Sequence, residues 1–544
     1  MKHRTCTVDY RVLVLLFFSF LLLVGVTQIR AKAYQNEMAG NADEPAHFIT
    51  GLMMHDYVAS GFPGNPLGYA RNYYQHYPKV ALGHWPPFFY MVQSAWMLVF
   101  GATQTSVMLL MAVLTVFVAT ILFVAVAGQS DWAAGIAAGT FFICLPMVQI
   151  FSSAIMAEIC LTLVVFVAVA AYGRYLDTGD WRYSAAFGIS ASAALMTKGS
   201  GIELAFVPLI ALIATRRWNM VARLSFWLPA AIVGLSAGPW YLFVPGAQHE
   251  TVARYGGVTL ITPRLMTTLA VWAGMLGVVP TVLAILGVST VLWKVWGRPP
   301  ADLDKADEPR TGILIAGMGL LVGAYVCRLI IGAWEDRQLV TTLPVLVMFS
   351  FAGLQWLLNL PAVRRWPKWV PLGAAGLVFA GVILADMRNP QVKPHFGFAE
   401  ASEALVADPG LRGSVFLVCS GSEGEGALIE EVALREHRPG HVILRSTKVL
   451  AVTDWMGYRY KPQFPGEQEM FQYLENIPVG VVAIDSAGGA TPHGHMLLEG
   501  MRKRADHWLQ MGRYGDVELY RLRGHEGVAP KLPPMEITGF GKAG

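Results

Sequence analysis

Long apolar stretches follow one another through most of this chain, and that succession restricts its fold more than any motif does. The run 12–29 is long enough to cross a bilayer, and comparable runs recur near 105–127, 133–150, 154–173, 183–197, 201–215, 222–244, 266–293, 312–332, 339–360 and 370–386. Hydrophobic residues make up 54% of the chain and charged ones 14%, against roughly a quarter charged in an ordinary soluble protein. These runs must therefore face lipid or one another. The expected fold class is mostly α, a polytopic transmembrane helical core over 1–386 with a first external loop at 31–85. Past Asp386 the composition becomes that of a soluble α/β domain, 387–544, with strands expected at 415–419, 441–444, 479–485 and 517–522 and helices at 427–437 and 494–509.

Orientation follows from the basic residues. Lys2, Arg4 and Arg11 precede the first run, and Arg174 with Arg182, Arg216 with Arg217 and Arg223, Lys294 to Arg310, and Arg364 with Arg365 and Lys368 occupy alternate connections. By the positive-inside rule these lie in the cytoplasm. The first loop, the connections around Glu158, Lys198, 248–264 and 334–338, and the C-terminal domain then lie outside, as in a multi-pass protein of the plasma (inner) membrane. That parity requires an odd number of spans, and the run 86–101 is marginal in length. A cleaved signal peptide competes at Ala31-Lys32-Ala33, but the apolar core before it is longer than such peptides carry.

Several function classes drop out. A net charge of +4, with the basic residues dispersed between apolar segments, gives no nucleic-acid footprint. Cys6, Cys144, Cys160, Cys327 and Cys419 form no CxxC pair, so neither zinc nor a disulfide framework is suggested. Gly421, Gly424 and Gly426 miss the dinucleotide spacing, and Glu423 and Glu425 would repel a phosphate. Asp485 with His493 and His495 fits no standard zinc spacing and reads as solvated loop residues.

The first loop holds the candidate chemistry. Asp43-Glu44-Pro45 reads as a helix start, and Phe48, Leu52 and Met53 make one apolar stripe, so an amphipathic helix at the membrane surface is expected. The residues alone leave two readings of Asp43 open. It is an N-cap satisfying free backbone N–H groups, or a general base whose pKa is raised toward working pH by partial desolvation and by its neighbour Glu44. His47, one turn on, would bond Asp43, join it in holding a metal, or sit solvated. Glu158 lies among apolar residues and requires some partner. Trp85, Phe88, Phe89 and Tyr90 read as an interfacial aromatic belt.

These segments carry a resemblance. The acidic pair opening a helix after the first span, the run His84-Trp85-Pro86-Pro87 before further aromatics, and the apolar stretch ending at Phe100-Gly101 resemble the family 39 glycosyltransferases of the GT-C superfamily, which include protein O-mannosyltransferases and bacterial aminoarabinose transferases. Thr197-Lys198-Gly199 is similar to the family's turn between two helices. Glu158 stands where relatives often carry an acid, and Arg337 is followed by Leu339, Pro344 and an apolar helix. Some relatives place lysine directly before the Pro-Pro pair, where this chain has Trp85, with His84 one position earlier.

The resemblance implies a GT-C core, a polyprenyl-phosphate-linked sugar donor, an extracytoplasmic lipid, glycan or protein acceptor, and Asp43 as catalytic carboxylate with Glu44 as partner. It leaves cofactors open, a divalent cation included, with Asp43 and His47 as possible ligands. Breaking the bond from the anomeric carbon to a lipid phosphate builds oxocarbenium character and leaves a dianion, so one base and one cationic clamp suffice, with inversion. Arg337 is the first candidate for the donor-phosphate clamp and Lys198 the second, with His84, Glu158, Arg254 and Arg264 as further substrate contacts. Arg337 is equally readable as a local pair with Glu335 or Asp336. The competing class is a lipid-sugar flippase or secondary transporter, which should show inverted repeats and mid-membrane helix breaks. No convincing internal repeat is present.

Overall fold

The computed structural model describes residues 9–81, 83–244, 261–297, 311–331, 335–367, 369–388, 390–453, 460–477, 479–524, 535–537 and 541–543; Arg254 lies outside them. Among the described residues, seven helices are long and apolar enough to cross a membrane: Tyr10–Arg30, Gln104–Ala127, Ala157–Thr178, Val278–Trp296, Gly312–Ile330, Asp336–Leu358 and Trp369–Arg388. An eighth is counted if the bent pair Trp132–Cys144 and Pro146–Ser152 forms one span. The chain is a multi-pass membrane protein.

Three expected spans are divided, each next to a proline or at a glycine. The run 133–150 bends by 66° where Leu145 takes an extended conformation before Pro146. The run 266–293 becomes Ile261–Leu276 and Val278–Trp296, separated by Gly277 at φ +89, a left-handed conformation that costs a side-chain-bearing residue dearly. The run 222–244 becomes Leu224–Ser236 and Gly238–Phe243, with Pro239 in the first turn of the second piece. The marginal run becomes Phe88–Phe100, whose 13 residues span only about 20 Å at the helical rise, short of the hydrocarbon core.

The expected surface helix forms at Glu44–Ala59, but it is not half-exposed. Every residue from Glu44 to Met53 is buried, because the helix Phe88–Phe100 packs on one side and the C-terminal helix Ser422–Arg435 covers another. The aromatic run is likewise a core element: Phe89 and Tyr90 are fully buried, and Trp85 stacks on His47 with ring centroids 4.2 Å apart.

The C-terminal region is a five-stranded sheet of β1 (Val415–Cys419), β2 (Val442–Arg445), β3 (Val479–Ile484), β4 (Trp508–Tyr514) and β5 (Val517–Leu522), in the order β2-β1-β3-β5-β4. The neighbouring strands β2, β1 and β3 are parallel, and β1 and β3 are apolar at every position, as strands covered on both faces must be. The expected helix at 494–509 stops at Lys503, and the residues from Trp508 onward pair as β4 instead. Alternation along β1 separates two cores. Val415, Leu417 and Cys419 face one apolar cluster within the sheet region. Phe416 and Val418 join a cluster continuous with the membrane helices.

That continuity is reinforced by polar contacts to the first loop, so the expected appendage is a docked domain. Buried Glu37 accepts the backbone N–H groups of Phe396 (2.9 Å), Gly397 (2.8 Å) and Ala399 (3.1 Å) at the start of the helix Phe398–Ala407. Asp56 receives Arg438 through two nitrogens at 2.7 and 3.1 Å and the Tyr73 hydroxyl at 2.9 Å.

Candidate active site

Four charged residues from separate segments converge at one end of the helical core. Asp43 stands before the helix Glu44–Ala59, and Glu158 lies in the first turn of Ala157–Thr178. Lys198 follows the helix Trp181–Leu195, and Arg337 sits in the 3-10 turn Asp336–Thr342 that leads into the next span. Arg337 Nη1 donates to Asp43 Oδ2 at 2.9 Å, and its Nε lies 3.8 Å from Glu158 Oε1. Lys198 Nζ donates to that same Glu158 oxygen at 2.7 Å. Arg337 also pairs with Glu335, whereas Asp336 is taken by Arg328 at 2.8 Å.

The turn chemistry explains the convergence. The chain leaves the helix Trp181–Leu195 with the Lys198 N–H on the Ala194 carbonyl and the Thr197 hydroxyl on the Ala193 carbonyl at 2.7 Å. Met196, in that turn, accepts the backbone N–H of Phe88 at 2.9 Å. The Pro-Pro segment and the Thr-Lys-Gly turn are thereby joined directly.

Asp43 does occupy the N-cap position, yet its carboxylate makes no cap hydrogen bond; it turns to Arg337 instead. Burial would raise its pKa, but the Arg337 guanidinium, aided by His47 and Lys198, outweighs burial and holds the carboxyl below its ordinary value. The expected upward shift is therefore overturned. Glu44 has no part in it: its carboxylate is fully buried, 2.5 Å from Lys393 Nζ, and accepts the Ile155 N–H at 3.0 Å. The acidic pair thus separates into one residue facing the charged cluster and one that ties the loop to the sheet domain.

His47, expected to be solvated, is buried, with Nδ1 2.9 Å from the Tyr90 hydroxyl. Burial lowers its pKa to about 4 and that of His84 to about 4, favouring the neutral ring at both. Asp43 carries the Arg337 guanidinium, and among the described residues the one group of three close ligating side chains is Glu37, His395 and Glu400. In the sheet domain Asp485 accepts from Ser420 (2.6 Å), while His493, expected in a solvated loop, is buried 3.0 Å from both Tyr460 and Ser446.

The structure adds a feature to Glu158, already singled out in the sequence, and brings in Lys79, which escaped the sequence reading. Glu158 is buried and its Oε2 has no hydrogen-bond partner among the described residues, a buried acceptor beside the Asp43–Arg337 pair. Lys79 is buried with its Nζ on the Ala42 carbonyl at 3.0 Å. Burial and then Arg445 lower its pKa to about 7. Nothing in the local pattern Tyr77-Pro78-Lys79 marks it, because its bond goes to Ala42 and the helix that covers it, with Gly426, comes from over three hundred positions away.

Solved membrane enzymes share this architecture. ArnT from Cupriavidus metallidurans, bound to undecaprenyl phosphate, aligns over 95% of this chain and 99% of its own with TM-score 0.59 and 14% identity. The archaeal oligosaccharyltransferase AglB from Archaeoglobus fulgidus, in complex with an inhibitory peptide and a dolichol-phosphate, aligns over 86% of this chain and 69% of its own with TM-score 0.51 and 13% identity. No protein-family model matches the sequence, and no curated protein matches it. At these identities the likeness is one of fold, the GT-C fold, and it does not single out family 39.

Proposed function

We propose that this chain is an integral-membrane glycosyltransferase of the plasma membrane that moves a sugar from a polyprenyl-phosphate donor to an acceptor on the extracytoplasmic side. The observation that carries the reading is the meeting of Asp43, Glu158, Lys198 and Arg337 in one cluster. Its setting, a GT-C fold whose solved examples hold undecaprenyl phosphate and dolichol-phosphate, supports the same donor chemistry. The fold likeness does not favour the flippase or transporter alternative.

In this reading Arg337 and Lys198 receive the donor phosphate, since charge-assisted hydrogen bonds from Arg and Lys suit its oxygens. A phosphate competing for Arg337 would remove the counter-charge from Asp43, and burial would then make that carboxylate a better base. The acceptor O–H breaks toward Asp43, and the acceptor oxygen bonds the anomeric carbon from the face opposite the phosphate. The bond from that carbon to the phosphate oxygen breaks, leaving lipid phosphate dianion and an inverted sugar linkage. Glu158 would hold the Lys198 and Arg337 cations in position for that phosphate.

The test supplies purified protein with labelled polyprenyl-phosphate sugars and follows release of lipid phosphate. Wild type should release it, and Asp43→Asn should lose about 10²- to 10⁴-fold in rate, as for removal of a general base. Movement of intact lipid-linked sugar without cleavage would establish the transporter class instead, and equal turnover by the variant would remove Asp43 from its role.

A further inference from the structure

Asp43 is flanked by two residues that are each held by a buried lysine, one from the C-terminal region and one from the first loop. Glu44 is bound by Lys393. Ala42 is bound through its carbonyl by Lys79, a side chain only 8% exposed and with no other hydrogen-bond partner among the described residues. A buried lysine is an expensive way to fill space, since its ammonium loses hydration that a methionine never had. What the amine does at this position is hold residue 42.

The sheet domain closes over the stem of Lys79. A Cβ built on Gly426, in the helix Ser422–Arg435, would fall 3.1 Å from Lys79 Cε and 2.7 Å from Pro45 Cγ. A glycine is what lets this helix approach so closely. The charged groups around the amine are Arg445, Glu425 and Glu423 from the sheet domain and Asp43 from the first loop. Glu425 does not bond Lys79; its oxygens accept from Arg445 Nε (2.7 Å), the Thr447 N–H (2.9 Å) and the Thr447 hydroxyl (2.7 Å). The amine is therefore left to the Ala42 carbonyl.

We propose that Lys79 is a positioning residue for Asp43, and that the sheet domain, docked at Gly426, keeps the Lys79 amine against the Ala42 carbonyl. The kinetic consequence rests on the glycosyl-transfer reading; the structural consequence does not. A displacement of about 1 Å at a reacting group costs on the order of a hundredfold in rate, and the backbone on both sides of Asp43 is set by these contacts.

The experiment uses the full-length protein with Lys79→Met, Lys79→Arg and Gly426→Val. Two measurements are made, hydrogen exchange of the amides at 41–47 and turnover of labelled polyprenyl-phosphate sugar. Lys79→Met should speed exchange at 41–47 by about tenfold while strand β1 stays protected. It should lower kcat by about 10- to 100-fold with KM for the donor unchanged within about twofold. Lys79→Arg, which retains a donor, should recover part of both, and Gly426→Val should reproduce the Lys79→Met pattern. Unchanged exchange and kcat in Lys79→Met overturn the proposal. So does a raised KM at constant kcat, which would make Lys79 a donor contact. If wild type shows no turnover, the glycosyl-transfer reading falls, and exchange at 41–47 alone decides the positioning role.

Discussion

The charged cluster around Arg337 and the ion pairs that dock the sheet domain are both built from carboxylates and cations, but they are assembled in different ways. In the docking contacts each carboxylate has dedicated partners: Glu44 has Lys393 and the Ile155 N–H, Glu37 has three backbone N–H groups, and Asp56 has Arg438 and Tyr73. In the cluster the partners are shared. Arg337 is divided among Asp43, Glu335 and Glu158, and Lys198 leans on a Glu158 oxygen; one oxygen of Glu158 and one of Glu44 have no hydrogen-bond partner among the described residues, so the difference lies in the sharing of the cations. Exposure differs too, with the Asp43 side chain 24% exposed and that of Glu44 at 0%. Buried pairs with dedicated cations specify one geometry, whereas a cation shared by several carboxylates can exchange a partner for a substrate. Two neighbouring residues of like charge belong to opposite kinds of site.

The sharpest way to break this contrast is to neutralise the two neighbours separately. Asp43→Asn should remove activity by about 10²- to 10⁴-fold with little change in thermal stability. Glu44→Gln leaves Lys393 buried without its counter-ion and should cost about 3–5 kcal/mol of stability, read from thermal melts in detergent. Adding Lys393→Met to Glu44→Gln should recover most of that loss. If both single variants lose activity alone and melt like wild type, the contrast fails.

A second prediction concerns pH. Asp43 has its pKa lowered in the folded protein, so any stability it contributes is present above its unfolded value of about 3.9 and is lost as pH falls through the folded one. Wild type should then keep its acid limb of kcat/KM below about pH 4. Arg337→Gln removes the group that opposes burial, so that limb should move upward toward neutrality, beyond the loss of phosphate binding. A limb that stays in place would mean Arg337 does not set the Asp43 charge.

The smallest effect is expected at the rim of the docking surface. Arg438→Lys retains the charge opposite Asp56 but loses the two-nitrogen geometry, which should cost about 1 kcal/mol and leave kcat unchanged. A large kcat loss there would show that the whole interface, and not the Lys79 contact, governs Asp43.

Composition and apolar run length by themselves determined the membrane class, the helical core and the change to an α/β region after residue 386, because hydrophobic length and strand alternation are local properties of a chain. Asp43 and Glu158 stood out as acids beside apolar surface, while Lys198 and Arg337 were singled out by the family resemblance. The helix breaks at Gly277 and Pro146 were visible as residues but hidden inside long apolar runs. Only tertiary structure decided which charges met. It separated Asp43 from Glu44, reversed the shift expected at Asp43, buried His47 and His493, and drew Lys79 under a helix from the far end of the chain. Each of these depends on the dielectric and the partner at one point in space, and those are supplied by residues that no sequence window contains.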